Sequence, residues 1–101
     1  MHEFLYIHTL DPARKYLRGL SGKEHAALLE EIQALGNGDP TARTKQLRGP
    51  VRELILGHHR LTYFKIDVHL FVVRGFRKKT RKTPLPEIEY AERMYALLKQ
   101  M

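Results

Sequence analysis

Four consecutive apolar residues, Leu70-Phe-Val-Val73, run directly into Arg74-Gly-Phe-Arg-Lys-Lys-Thr-Arg-Lys-Thr-Pro84, which sets six cations in nine residues with no acid among them. A strand that is apolar on both faces has to be covered, at least in part, on each side, which places it in the middle of a sheet. The cations that follow are costly to bury without partners, so the chain must reach water where that strand ends. Thr83-Pro84 then punctuates the run and starts another element.

At 101 residues and 43% apolar composition, the chain is expected to form one compact domain with its own core. No apolar run approaches the about 20 residues that cross a bilayer. Met1-His-Glu-Phe4 has neither the basic start nor the apolar centre of a signal peptide. The absence of cysteine excludes a disulfide framework, a thiolate nucleophile and a thiolate metal site. A cytoplasmic protein is the expectation.

The formal charge of +7 is unevenly spread. Between Pro40 and Lys82 there are 12 Lys or Arg against two acids, Glu53 and Asp67, while the flanks are mildly acidic. A basic surface gains binding free energy by releasing counterions from a polyanion, so RNA, DNA or an acidic partner heads the list of ligands, against the plain alternative of a solubilising surface.

Phe4-Leu-Tyr-Ile-His8, rich in aromatic and β-branched residues, predicts a first strand. Asp11-Pro12 reads as an N-cap and first helical residue, with the helix running to Arg18. Ser21-Gly-Lys-Glu24 fits a capping box for a second helix, whose apolar face is Leu28, Ile32 and Leu35 and whose stop is Gly36. The two helices make a hairpin. Residues 36–50 have loop composition. Three strands follow, Val51–Leu56, Arg60–Asp67 and His69–Phe76, and their short connections make them an antiparallel meander. From Thr83-Pro84 onward, Ile88, Ala91, Tyr95 and Leu98 mark an amphipathic helix with acids in its early turns. The order β, α, α, β, β, β, α is an α+β fold. The expected core is Phe4, Leu28, Ile32, Leu35, Leu54, Leu61, Phe71, Val73, Ile88 and Tyr95.

Leu47-Arg-Gly-Pro-Val-Arg-Glu-Leu54, Arg60-Leu-Thr-Tyr-Phe64 and Phe76-Arg-Lys-Lys-Thr-Arg-Lys-Thr-Pro-Leu-Pro-Glu-Ile88 together resemble the RelE/HigB superfamily of bacterial toxins. Within it they are most similar to a phage-derived, HigB-like branch, whose Lys-Lys-Thr-x-Lys-Thr-Pro-x-x-Glu-Ile signature this chain carries from Lys78 to Ile88. The resemblance covers about residues 47 to 95. It implies a RelE-like domain and a ribosome-dependent endoribonuclease, the toxin half of a toxin–antitoxin pair. In that chemistry the ribose 2′-OH attacks the neighbouring phosphate and protein cations neutralise it, without metal ions or cofactors. The implied partners are the ribosome, its mRNA and a cognate antitoxin, often one with a helix-turn-helix domain, so that DNA is met only through the antitoxin. No membrane is implied.

Arg60 takes the position of the family's strand arginine. A guanidinium keeps its charge at any working pH and offers paired donors to a phosphate. The family also places an essential cation near the end of the last strand, which here is Arg77 or Lys78 according to a one-residue register. Lys79, Arg81 and Lys82 follow as RNA-binding candidates, with Arg48 and Arg52 from the preceding loop and strand. His58 and His59 are possible bases for the 2′-OH, and His69 is a third neutral-pH histidine. Tyr63 reads as core, and Tyr90 as either core or a stacking residue. One departure stands out. The branch commonly reads Trp-Glu-Leu-Arg, and this chain has Ile55 where that last arginine falls, with Arg52 three residues earlier and on the other strand face.

The alternative is a non-catalytic RNA- or protein-binding module on the same scaffold, which Ile55 favours. A DNA-binding regulator ranks lower, because the cations lie on strands and connections and no helix is basic enough to read a groove.

Overall fold

The computed structural model describes residues 4–101; residues 1–3, part of the N-terminus read above, lie outside them. Eight elements follow in order: β1 Tyr6–Thr9, α1 Asp11–Arg18, α2 Gly22–Gly36, β2 Thr44–Arg48, β3 Val51–Leu56, β4 His59–Ile66, β5 His69–Arg77 and α3 Leu85–Lys99. The strands form one sheet in the order β1-β5-β4-β3-β2, with β1 parallel to β5 and the other pairs antiparallel. The α+β fold class and the helical hairpin stand as read from the sequence.

The helices divide the sheet into two faces. On the hairpin face, Ala13 and Leu17 of α1 and Leu28, Ile32 and Leu35 of α2 bury against Leu54, Leu61, Tyr63, Leu70 and Val72. On the other face, α3 brings Ala91, with Met94, Tyr95 and Leu98, onto Val51, Phe64 and Val73. The Phe64 and Tyr95 rings meet edge to face at 5.1 Å. Strand alternation assigns neighbours in sequence to opposite faces, so each residue of β3 to β5 has a defined side.

The three meander strands fall within a residue of their expected bounds. The sheet is nevertheless larger than a meander plus a first strand. Thr44–Arg48, read as loop, is the edge strand β2, paired antiparallel with β3. It is mostly solvent-exposed and polar, and Leu47 alone reaches the α3-side core, so no apolar alternation announces it. β5 is interior, but the central position belongs to β4.

Smaller corrections concern helix ends and the core. The residue flanking α1 is Leu10, without a side-chain cap; Asp11 lies in the first turn, where its charge suits the helix dipole. Ser21 does cap α2, accepting from the Glu24 N–H at 3.2 Å. α2 continues through Gly36, and Gly38 (φ 74°) makes the reversal instead. Gly36 is needed for a close approach, since a Cβ there would lie 2.6 Å from Ile7 Cδ1. Phe4, expected in the core, is 71% exposed because it precedes β1 and lies under no helix. Phe71, Ile88 and Tyr95 are half-buried.

One irregularity matters for everything at the far end of β5. Tyr63 pairs with Val72 and Thr62 with Arg74, leaving Val73 as the extra residue of a bulge. Val73 and Arg74 consequently both turn to the α3 face, and the alternation after them is inverted.

Candidate functional site

The start of β4 and the end of β5 form one rim of the sheet. The Gly57-His58 turn lies against the departing chain, whose Lys78 N–H donates to the His58 carbonyl at 2.8 Å. Arg60, Arg77, Lys78 and the basic connection all emerge here, and the register decides where each points.

Arg60 pairs with Ile55 on one side and Phe76 on the other and faces the α3 side. Its Nη1 donates to the Gly57 carbonyl at 2.7 Å and to the His59 carbonyl at 3.0 Å. The side chain is 13% exposed, with Nε 3.9 Å from Oε2 of Glu53. Glu53 is fully buried and accepts a 2.7 Å hydrogen bond at Oε1 from Thr83 Oγ1. Neither Glu53 Oε2 nor Arg60 Nε has a hydrogen-bond partner. The guanidinium is therefore held in one place by the turn and offset by a buried carboxylate, with its Nε buried beside that carboxylate and without a hydrogen bond.

The bulge at Val73 settles the face of Arg77. Arg77, opposite His59, turns to the hairpin face, where its Nη2 lies 3.6 Å from Oε2 of Glu24. Pleat alternation carries Lys78 back to the Arg60 face. Lys78, Lys79, Arg81 and Lys82 form no ion pair among the described residues. The connection is shaped by Thr80 Oγ1 donating to the Lys82 carbonyl at 2.7 Å. Four cations without acidic partners thus border a fixed arginine.

The remaining candidates lie apart from this rim. Arg48 makes a two-pronged pair with Glu92 of α3, at 2.9 and 2.5 Å. That contact raises the arginine's pKa and lowers the carboxylate's, and it ties β2 to α3. Arg52 faces the hairpin side, donating to the hydroxyls of Tyr63 (3.2 Å) and Thr44 (3.0 Å). It accordingly stands on the face opposite Ile55 and does not fill the place of the missing arginine.

His58 is exposed in the turn, whereas His59 is 7% exposed with both ring nitrogens engaged. Nδ1 lies 2.6 Å from the Tyr16 hydroxyl and Nε2 2.6 Å from Oε2 of Glu24. Burial raises the Tyr16 pKa, with Arg77 opposing and Glu24 reinforcing the shift, so the phenol stays protonated. The phenol and the Glu24 carboxylate thus hold the imidazole at its two opposite nitrogens. Hydrogen bonds from His59 and Ser21 lower the Glu24 pKa. Of the two possible bases, only His58 is open to a substrate. His69, at the other end of β5, pairs with His8 at 2.8 Å.

Sequence reasoning did not single out Glu53, Glu24 and Tyr16 as site residues. Glu53 left one signal: it alternates with Val51 and Ile55, which marks it as inward-facing. Glu24 and Tyr16 left none, since their partner is 35 and 43 residues away. Tyr63 is core, as read. Tyr90 packs on the α3 side with the Arg74 guanidinium 4.6 Å from its ring centre, while Arg74 also reaches Glu87 at 3.0 Å.

Known proteins resemble this chain in family and in fold. Residues 15–96 match the family of phage-derived Gp49-like proteins (DUF891). No curated protein matches the sequence. The structure is similar to the toxin–antitoxin complex RelBE2 from Mycobacterium tuberculosis, with a TM-score of 0.63 and 22% identity over 73% of this chain and 91% of that one. It is also similar to the isolated RelE toxin of E. coli, with a TM-score of 0.59 and 22% identity over 89% and 98%. With the family match spanning most of the sequence and the sheet and helices superposing on those toxins, the chain belongs to the Gp49-like phage-derived family and has the RelE fold.

Proposed function

We propose that this chain is the toxin of a toxin–antitoxin pair and cleaves mRNA on the ribosome. The observation that carries the reading is the rim. There a nearly buried Arg60, set against the carboxylate of Glu53, stands beside the connection whose cations Lys78, Lys79, Arg81 and Lys82 have no acidic partner among the described residues. A generic basic surface has no reason to fix one guanidinium between two carbonyls and a buried carboxylate.

The chemistry is attack of a ribose 2′-OH on the adjacent phosphorus, which leaves a 2′,3′-cyclic phosphate and a free 5′-OH. Negative charge grows on the non-bridging oxygens, and Arg60 and Lys78 are placed to meet it. Lys79, Arg81 and Lys82 hold flanking phosphates. His58, exposed at the same turn, is the available base, and in-line geometry comes from mRNA held on the ribosome. The chain's own contribution is charge and position, and no metal ion or cofactor is required. The partner is an antitoxin, with a helix-turn-helix domain; that a RelBE2 toxin–antitoxin complex shares this fold supports an antitoxin partner.

Expression without an antitoxin is expected to arrest growth and to leave mRNA cut within codons, and Arg60→Ala to relieve both. Harmless expression with intact mRNA on translating ribosomes would sink the reading. Salt-sensitive RNA binding without cleavage would select the non-catalytic module instead, for which Ile55 opposite Arg60 is the supporting observation.

A further inference from the structure

We propose that Glu24, His59 and Tyr16 form a clamp on the hairpin face that positions Arg60 on the opposite face of the sheet. The clamp rests on the reading of Arg60 as the phosphate-contacting arginine and extends it to residues that no phosphate would touch.

Two carbonyls, Gly57 and His59, hold the Arg60 guanidinium. Both belong to the turn and the first residue of β4, so the direction of the guanidinium follows the placement of that short segment. The segment is itself held from the other side. The His59 ring is gripped at both nitrogens at 2.6 Å, by Tyr16 from α1 and Glu24 from α2. Each grip is set in turn by its own helix. Ser21 Oγ caps α2 and donates to Glu24 Oε1 at 3.2 Å. The Tyr16 ring occupies the space over Gly75, where a Cβ would lie 2.2 Å from ring Cδ2. A hydroxyl, an imidazole and a carboxylate from three separate elements thus fix the backbone that aims the arginine.

The groups facing His59 are Tyr16 from α1, Glu24 from α2 and Arg77 from β5, with His58 adjacent in the turn. A mere brace would contribute to stability alone, whereas a positioning clamp changes turnover while the phosphate-binding connection still binds RNA.

The test follows the Arg60 Nε–H signal by 15N NMR, assigned by its loss in Arg60→Lys, alongside cleavage of mRNA on translating ribosomes. Glu24→Gln, His59→Phe and Tyr16→Phe are compared with Arg18→Ala, an exposed α1 control. In the clamp variants the signal is expected to exchange at least about tenfold faster, as a locally loosened group does. The kcat is expected to fall roughly 10- to 100-fold from misplacement of the arginine, with KM within about twofold because uniform binding is retained. Far-UV circular dichroism reports that each variant is folded; should His59→Phe unfold, Tyr16→Phe, which removes a single hydroxyl, carries the test. An unmoved Arg60 signal in folded variants overturns the clamp, and so does a moved signal with unchanged kcat. If the wild type does not cleave mRNA, the functional reading fails, and the NMR comparison still decides whether the clamp sets Arg60.

Discussion

Arg60 and Arg77 leave the same rim of the sheet on opposite faces. Counted from Leu70 without interruption, alternation would put Arg77 beside Arg60. The extra residue at Val73 inverts that count and turns Arg77 to the hairpin face, and alternation continued by one residue past the strand directs Lys78 to the Arg60 face. Arg77 is 52% exposed and lies against Glu24 on the hairpin face.

A single-alanine series follows from this arrangement. Arg60→Ala and Lys78→Ala should each lower the cleavage rate on ribosomes by about 10²- to 10³-fold, the usual loss when one donor to developing charge is removed. Arg77→Ala should change the rate far less and cost only about 0–1 kcal/mol of stability, as exposed pairs do. Rates measured at saturating ribosome concentration separate the two outcomes.

The connection should act through affinity. For Lys79→Ala, Arg81→Ala and Lys82→Ala, single-stranded RNA binding should weaken. The slope of log K against log salt should become shallower by about 0.7 for each phosphate that is no longer neutralised. Titrations at several salt concentrations check this, and an unchanged slope would remove the three residues from the RNA path.

Glu53 is the buried charge on which Arg60 and the start of α3 both lean. Glu53→Ala leaves the nearly buried arginine without its counter-charge and should destabilise the fold by roughly 3–5 kcal/mol. Glu53→Gln keeps the acceptor for Thr83 and should cost less. Denaturant unfolding of both variants provides the comparison.

Acid stability should show the Glu24 contact. Its pKa is lowered in the folded protein by the His59 and Ser21 hydrogen bonds, so the unfolded chain binds the proton more readily. The stabilisation is then complete above the ordinary glutamate pKa and is lost as pH falls through the lower folded value. The gap in Tm between the wild type and Glu24→Gln should accordingly be widest near neutrality and close as the pH falls below the carboxylate range.

Much of the frame could be read from the residues. β3, β4 and β5 are apolar, aromatic and β-branched runs joined at Gly57-His58 and Asp67-Val68, and Ser21 announces α2. β2 was hidden because an exposed edge strand needs no apolar face, and Phe4 was misplaced because a β-prone residue need not lie under a helix. The basic rim was legible as composition, but not its division between faces. That depends on one bulged valine, and bulges arise from how two strands fit together. The Glu24–His59–Tyr16 contact was invisible for a related reason: three ordinary residues acquire a role only when two helices pack onto the start of one strand.

The most direct measurement is cleavage mapping by primer extension on reconstituted ribosomes translating a defined mRNA, comparing the wild-type chain with Arg60→Ala. Cuts within the codon in the ribosomal A site, ends bearing 2′,3′-cyclic phosphate, and about a 10²- to 10³-fold slower reaction for the variant are expected. Intact mRNA on ribosomes carrying the wild-type chain, or equal cutting by both proteins, would contradict a catalytic role for Arg60 at this rim.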